Sequence, residues 1–241
     1  MSNNPLGLAF FILYWVVFIY SIVLHEVAHG YSSYLLGDPT AWKAGRLTLN
    51  PLRHVDFFFS ILMPVIFYLT AGVPFGGAKP VPVNPYLYRN LRWGSLASAA
   101  AGPLTNLVLA ACFSVLFLLF KAPPGGHPSL TGSFLANCLV LNVFLGVFNL
   151  LPVPPLDGSH VLAALLPRSM REVYGRFQAM GWWPIVVLVI FDQLLARATH
   201  FSILAALIIY PAYLVLWLMG AEGALRELVS PSRLLQFQSG G

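Results

Sequence analysis

Residues Leu8 to Leu36 read LAFFILYWVVFIYSIVLHEVAHGYSSYLL, an apolar run that carries His25-Glu26-Val27-Ala28-His29 in its final third. At about 1.5 Å per residue, a helix over this run is roughly 43 Å long, more than the ~30 Å hydrocarbon core of a bilayer. Gly37 and Asp38-Pro39 then supply stop signals. Ionisable side chains are costly in such a helix, so function is their default explanation. Residues i and i+4 share one helical face. His25 and His29 can therefore offer imidazole nitrogens to one Zn²⁺, while Glu26 can reach a zinc-bound water as general base. A metal-activated water beside a base is the chemistry of peptide hydrolysis. The plainer alternative is a pair of satisfied buried histidines with a Glu partner.

The rest of the 241-residue chain agrees with a membrane setting. It is 58% hydrophobic and only 9% charged, with mean hydropathy +0.77. These values exclude a soluble globule and predict an all-α polytopic membrane protein. The net charge of +5 is spread over loops. No basic stripe follows a phosphate backbone, so the expected partners are a lipid bilayer and no nucleic acid. Cys112 and Cys138 lie in apolar runs without CxxC spacing and are expected to pack. The first run has no basic segment or cleavage site ahead of the motif, so it does not read as a removable signal peptide.

Further apolar runs lie at about 57–71, 95–120, 134–151, 182–196 and 202–219. Lysine and arginine accumulate in cytoplasmic loops. If 57–71 re-enters rather than crosses, every Lys and Arg except Lys121 and Arg197 falls on the cytoplasmic side. The expectation is then five full crossings plus a re-entrant segment, with the N-terminus outside and the active site toward the cytoplasm. AWKAGRLTLNP (41–51) and GGAKPVPVNP (76–85) read as extended, the second because alternating prolines remove donors. Both are expected to form short membrane-associated β-strands, and an extended edge can pair with an unwound substrate. The whole chain reads as one membrane-embedded domain, 1–241, with a catalytic core at about 8–170, accessory helices at about 182–219 and a short cytoplasmic tail at 220–241.

A catalytic zinc takes three protein ligands and leaves a fourth position open. Candidates for the third are His54, Asp56, Asp157, His160 and Asp192. Asp157 in NLLPVPPLDG is the best, because prolines break a membrane helix there and freed backbone at membrane depth must line a cavity or be buried in protein. His54 and Asp56 are expected to orient a loop, and His160 to start a helix or support a ligand. Asp192 should neighbour Arg197 or lipid headgroups. Gly102-Pro103 reads as a close approach at a helix start, with Asn106 bonding across helices.

HEVAH (25–29), LGDPTAWKAGRLTLNPLRHVD (36–56), GGAKPVPVNP (76–85), AGPLTN (101–106) and FNLLPVPPLDG (148–158) together resemble the site-2 protease family of intramembrane zinc metalloproteases, in a compact form without PDZ or CBS modules. The resemblance implies one Zn²⁺ per chain held by His25, His29 and Asp157, with Glu26 as catalytic acid/base and Asn149 holding substrate or oxyanion. It implies regulated intramembrane proteolysis of a membrane-protein substrate with a transmembrane helix, in a bacterial cell membrane. A catalytically silent scaffold or chaperone of the same fold would not need Glu26. A metal transporter would need a file of polar ligands that the Phe- and Leu-rich runs do not offer.

Overall fold

The computed structural model describes residues 5–62, 65, 69, 77–121 and 129–224. Its helices are α1 (Pro5–Leu35), the single turn α2 (Thr40–Lys43), α3 (Leu91–Phe120), α4 (Leu130–Asn149), α5 (Asp157–Leu165), α6 (Arg168–Gln178), α7 (Trp183–Thr199) and α8 (Ile203–Leu218). The stop read at Gly37 is used as such: Gly37 adopts φ +111° and the Asp38 N–H donates back to the Ser33 carbonyl. Asn90, Ser129 and Ser202 cap α3, α4 and α8 by accepting the Trp93, Gly132 and Ala205 N–H groups, which satisfies donors a helix start leaves orphaned.

The body is a bundle in which α3 lies against both α1 and α4 and runs antiparallel to each. His29 meets the Ser98 carbonyl while Ser21 meets Asn106. On the other side Gly146 lies against Pro103, and Gly132 near the end of α3 at Phe120. The ends of α1 and α4 and the start of α3 therefore share one end of the bundle. The Arg89 N–H donates to the Leu36 carbonyl at 3.1 Å, so the long connection between α1 and α3 begins and ends there. Whether 57–71 spans or re-enters falls largely outside the described residues.

Two expectations need correction. Among the described residues, three helices are long and apolar enough to cross a membrane, at Leu6–Leu35, Leu91–Phe120 and Leu130–Asn149, and a fourth span arises only if α6 and α7, bent by 75°, count as one. Five full crossings are not supported. The 17 residues of α7 and 16 of α8 reach only about 24–26 Å, short of the ~30 Å hydrocarbon core. An apolar run counts residues, whereas a bilayer is spanned by helical rise. The β-strands are also absent among the described residues. Pro80, Pro82 and Pro85 cannot donate to a ladder, and the Lys79, Val81 and Asn84 N–H groups go to side chains and to one turn carbonyl, as described below.

Farther from the motif, the C-terminal half of α3 packs with α4 and α8 around Ala110, Phe117, Leu135, Leu139, Val143 and Leu216. Asp192 is buried rather than facing Arg197 or headgroups: it accepts from the Ser202 hydroxyl at 2.6 Å and the Leu204 N–H at 3.0 Å, tying α7 to the start of α8.

Candidate metal centre

Ser21, His25, His29 and Ser33 recur every fourth residue and form one stripe along α1. It faces a second four-residue repeat on α3: Gly94, Ser98, Gly102 and Asn106 are all buried. Small residues let the two backbones approach, and nowhere more closely than at Gly102. A Cβ there would lie 2.6 Å from the His25 Nε2 and closer still to the His29 Nε2, so only glycine leaves room for both rings. Gly102 lies well inside α3, not at a helix start.

Asp157 comes to the same place from the other direction. It is the first residue of α5, where the positive end of the helix dipole favours a carboxylate. Gly158 allows α5 to begin against the end of α4, since a Cβ there would collide with the Leu150 carbonyl. The Asp157 Oδ2 lies 3.0 Å from the His25 Nε2 and 3.3 Å from the His29 Nε2, and the two Nε2 atoms are 3.1 Å apart. His25, His29 and Asp157 are the only three-residue group of potential metal ligands among the described residues.

The other face of each imidazole is committed. The His25 Nδ1 lies 2.6 Å from the Asn106 Oδ1, and the His29 Nδ1 lies 2.7 Å from the Ser98 carbonyl. The Asn106 amide nitrogen donates to the Ser21 carbonyl and to the Asn142 Oδ1, while the Asn142 nitrogen donates to the Cys138 carbonyl. This chain ends on backbone carbonyls and so fixes which atom of Asn106 faces His25. Both partners accept only, so each Nδ1 carries the proton and each Nε2 turns a lone pair inward. Two lone pairs and a carboxylate oxygen at these separations repel unless a cation lies among them. Tetrahedral zinc with bonds of about 2.0–2.1 Å spaces its ligand atoms about 3.3 Å apart, so the donor set fits zinc in type and spacing.

Glu26 sits beside this group, and its Oε2 accepts the Val81 N–H at 3.0 Å. The 79–84 segment is a strap with few loose ends. The Lys79 N–H donates to the His54 carbonyl, the Arg46 Nη2 to the Lys79 carbonyl at 2.7 Å, and the Asn84 N–H to the Asp38 Oδ2 at 2.6 Å. Asp38 also accepts the Thr40 N–H and hydroxyl. Burial works to raise the Asp38 carboxyl, but these three donors outweigh it and hold the carboxyl below its ordinary range.

The remaining candidates lie outside the trio. His54 is buried, with its Nε2 2.9 Å from the Thr48 carbonyl, and orients the 45–54 loop. The Asp56 N–H bonds the Ser60 hydroxyl, and the His160 Nδ1 faces the Gln178 amide. Asn149 donates back to the Leu145 carbonyl of its own helix. The sequence reading did not anticipate Ser98, Asn142 or the Val81 N–H. The four-residue repeat of small and polar residues in the α3 run was the available signal for Ser98.

Comparison with known proteins agrees with this chemistry. The model of peptidase family M50 matches residues 127–191, a stretch that includes Asp157. YwhC of Bacillus subtilis is 41% identical over 182 residues, covering 73% of this chain and 78% of the relative. Rip2 of Mycolicibacterium smegmatis is 33% identical over 181 residues, covering 75% and 67%. MJ0392 of Methanocaldococcus jannaschii is 27% identical over 169 residues, covering 70% and 38%. All three are named as zinc metalloproteases. No solved structure matches the chain. Extended similarity to YwhC and Rip2, joined to bilayer-length helices around a zinc-type donor set, makes the chain a member of peptidase family M50, the site-2 proteases, and an integral membrane zinc metalloprotease.

Proposed function

We propose that the protein is an intramembrane endopeptidase that hydrolyses a peptide bond in or near a transmembrane segment of another membrane protein, in regulated intramembrane proteolysis. It works as one domain with one Zn²⁺ per chain, in a bacterial cell membrane, with the active site toward the cytoplasm. His25, His29 and Asp157 hold the metal through Nε2, Nε2 and a carboxylate oxygen. The observation that carries the reading is the inward turn of both Nε2 atoms beside Asp157, with each Nδ1 committed to an acceptor.

Zinc held by these three residues would supply an activated water and a Lewis acid for the scissile carbonyl. Glu26 takes the proton of that water and delivers it to the leaving amine. Its Oε2 is held by the Val81 N–H, which aims the carboxylate and leaves Oε1 to receive the proton. Asn106 and the Ser98 carbonyl keep the two rings in the tautomer that binds metal. Asn149, at the end of α4, contacts the substrate or the developing oxyanion with the second hydrogen of its amide. The loop at 46–50 and the extended 79–84 segment pair with the unwound substrate. The Thr48 and Val83 N–H groups, which make no hydrogen bond within the described protein, suit that role.

The test compares bound zinc with cleavage of a reporter transmembrane helix in purified variants. Glu26→Gln is expected to keep its metal and lose cleavage. His25→Ala, His29→Ala and Asp157→Ala should each lose both. Cleavage by Glu26→Gln at the wild-type rate would overturn the assignment, and full zinc content in Asp157→Ala would move the third ligand elsewhere, with His160 next in line.

A further inference from the structure

At the shared end of the bundle, away from the metal group, α3 starts, α5 ends and α6 starts around one open cleft of about 390 Å³. Asn90, Leu91, Arg92, Arg168 and Arg171 line it. Among the described residues, three guanidinium groups and no carboxylate face this space, and none of the three makes an ion pair. Their hydrogen bonds are only partly used. Arg92 gives its Nε to the Ala164 carbonyl at 2.7 Å and its Nη2 to the Leu165 carbonyl at 3.1 Å. Arg171 gives its Nη2 to the Leu166 carbonyl at 3.0 Å, and its Nε is buried with no partner. Arg168 makes no hydrogen bond or ion pair among the described residues. Pro167, ahead of α6, offers no side-chain cap, so the positive end of that helix adds to the field.

Structural capping accounts for Arg92 and for one donor of Arg171. It leaves Arg168 and the Arg171 Nε unexplained, and both belong to groups that favour a tetrahedral oxyanion. The surroundings narrow the choice of anion. Trp93 is exposed and lies under the Arg92 guanidinium at 5.4 Å from the ring centroid. On α6, Met170, Val173 and Phe177 recur at helical spacing and are exposed, an apolar face bordered by arginines, as in helices that lie in a membrane interface. A bare oxyanion has no use for that face, whereas a phospholipid would lay its acyl chains along it.

We propose that this cleft binds the phosphate of an anionic phospholipid headgroup, with Arg168 and Arg171 on the phosphate and Arg92 closing the third side. The ligand would then join α3 and α6 to the last turn of α5, the helix that begins with Asp157.

The test uses the full chain, zinc-loaded and purified in mild detergent, and follows thermal unfolding and bound lipid by native mass spectrometry. Phosphatidylglycerol, phosphatidylcholine and inorganic phosphate are titrated separately. Phosphatidylglycerol should raise the melting temperature of wild type more than the other two and remain bound on ionisation. Arg168→Gln breaks no hydrogen bond among the described residues, so it should fold and bind zinc as wild type does, yet weaken phosphatidylglycerol about tenfold; Arg168→Gln/Arg171→Gln should abolish the response. A double variant outside the cleft, Lys43→Gln/Arg176→Gln, should respond as wild type does. The proposal is overturned if the outside double weakens binding as much as the cleft double, which would mean diffuse surface charge. It is overturned equally if inorganic phosphate stabilises as well as the lipid, or if Arg168→Gln binds the lipid with wild-type affinity.

Discussion

α3 is two helices in one. Its first half meets α1 through Ser98, Gly102 and Asn106, and its second half meets α4 and α8 through Ala110 and Phe117. In water the second seam would be the strong one, because it buries apolar surface. Between helices in lipid that driving force is gone, since the tails are as apolar as the side chains. Close approach and hydrogen bonds then decide, and the seam of small and polar residues becomes the less forgiving of the two. The site has been built on the seam where an error of one methyl group matters.

Gly102→Ala tests this most severely. Its Cβ would collide with both Nε2 atoms, so metal content and cleavage should fall by at least about a hundredfold, while the protein still inserts and purifies, as read by elemental analysis and the reporter assay. A zinc-loaded, active Gly102→Ala would end the argument for a steric seam. Asn106→Leu should weaken zinc by about 10–100-fold, because the His25 Nδ1 loses its acceptor. Asn106→Asp, which keeps an acceptor oxygen, should recover most of the loss, and chelator competition would measure both.

A smaller effect on cleavage is expected at Asp38, which joins the turn after α1 to the strap. Its carboxyl is depressed in the folded protein. The stability it contributes is therefore complete above the ordinary carboxylate pKa of about 4 and is lost as pH falls toward the lower folded value. Asp38→Asn should cost about 1.5–3 kcal/mol at neutral pH and slow cleavage severalfold, with a melting temperature that falls less between pH 5 and pH 3 than that of wild type; equal slopes would remove Asp38 from the account. Leu139→Ala, in the apolar seam, sharpens the contrast from the other side. It should lower stability only through the cavity it leaves, since little transfer term operates between helices in lipid, and leave zinc per folded molecule and the cleavage rate unchanged.

The sequence was most informative where chemistry is local. HEVAH has one helical face whatever surrounds it, and Gly37, Asp38 and the Asp157-Gly158 pair announce ends and starts through their own backbone preferences. Asp157 was picked from a set of five by the prolines around it. Where the partner is remote, the reading failed or stayed silent. Asp192 looked like a headgroup neighbour because nothing local says that the chain turns back so that Ser202 and Leu204 reach it. The strap looked like a strand because prolines do force extension; what it lacked was a ladder, with three of its donors turned to Glu26, Asp38 and the His54 carbonyl. The last two apolar runs were counted as crossings since composition does not say where a helix ends, and α7 and α8 stop at 17 and 16 residues.

The nine residues of α5 have Asp157 at one end and carbonyls gripped by Arg92 at the other. At about 1.5 Å per residue the helix is a gauge roughly 13 Å long, with one jaw at the metal group and the other at the arginine cleft. Its setting cannot slide. Adding one residue would lengthen it slightly and also rotate one jaw by about 100° relative to the other, so Asp157 and the Ala164 and Leu165 carbonyls that Arg92 holds could not both stay engaged. Only insertions near a whole turn preserve both grips, and each would shift the distance between metal and cleft by about 5 Å. In this protease the distance between the metal group and the arginine cleft is thus stepped by the helix repeat, and no intermediate setting keeps both ends of α5 engaged.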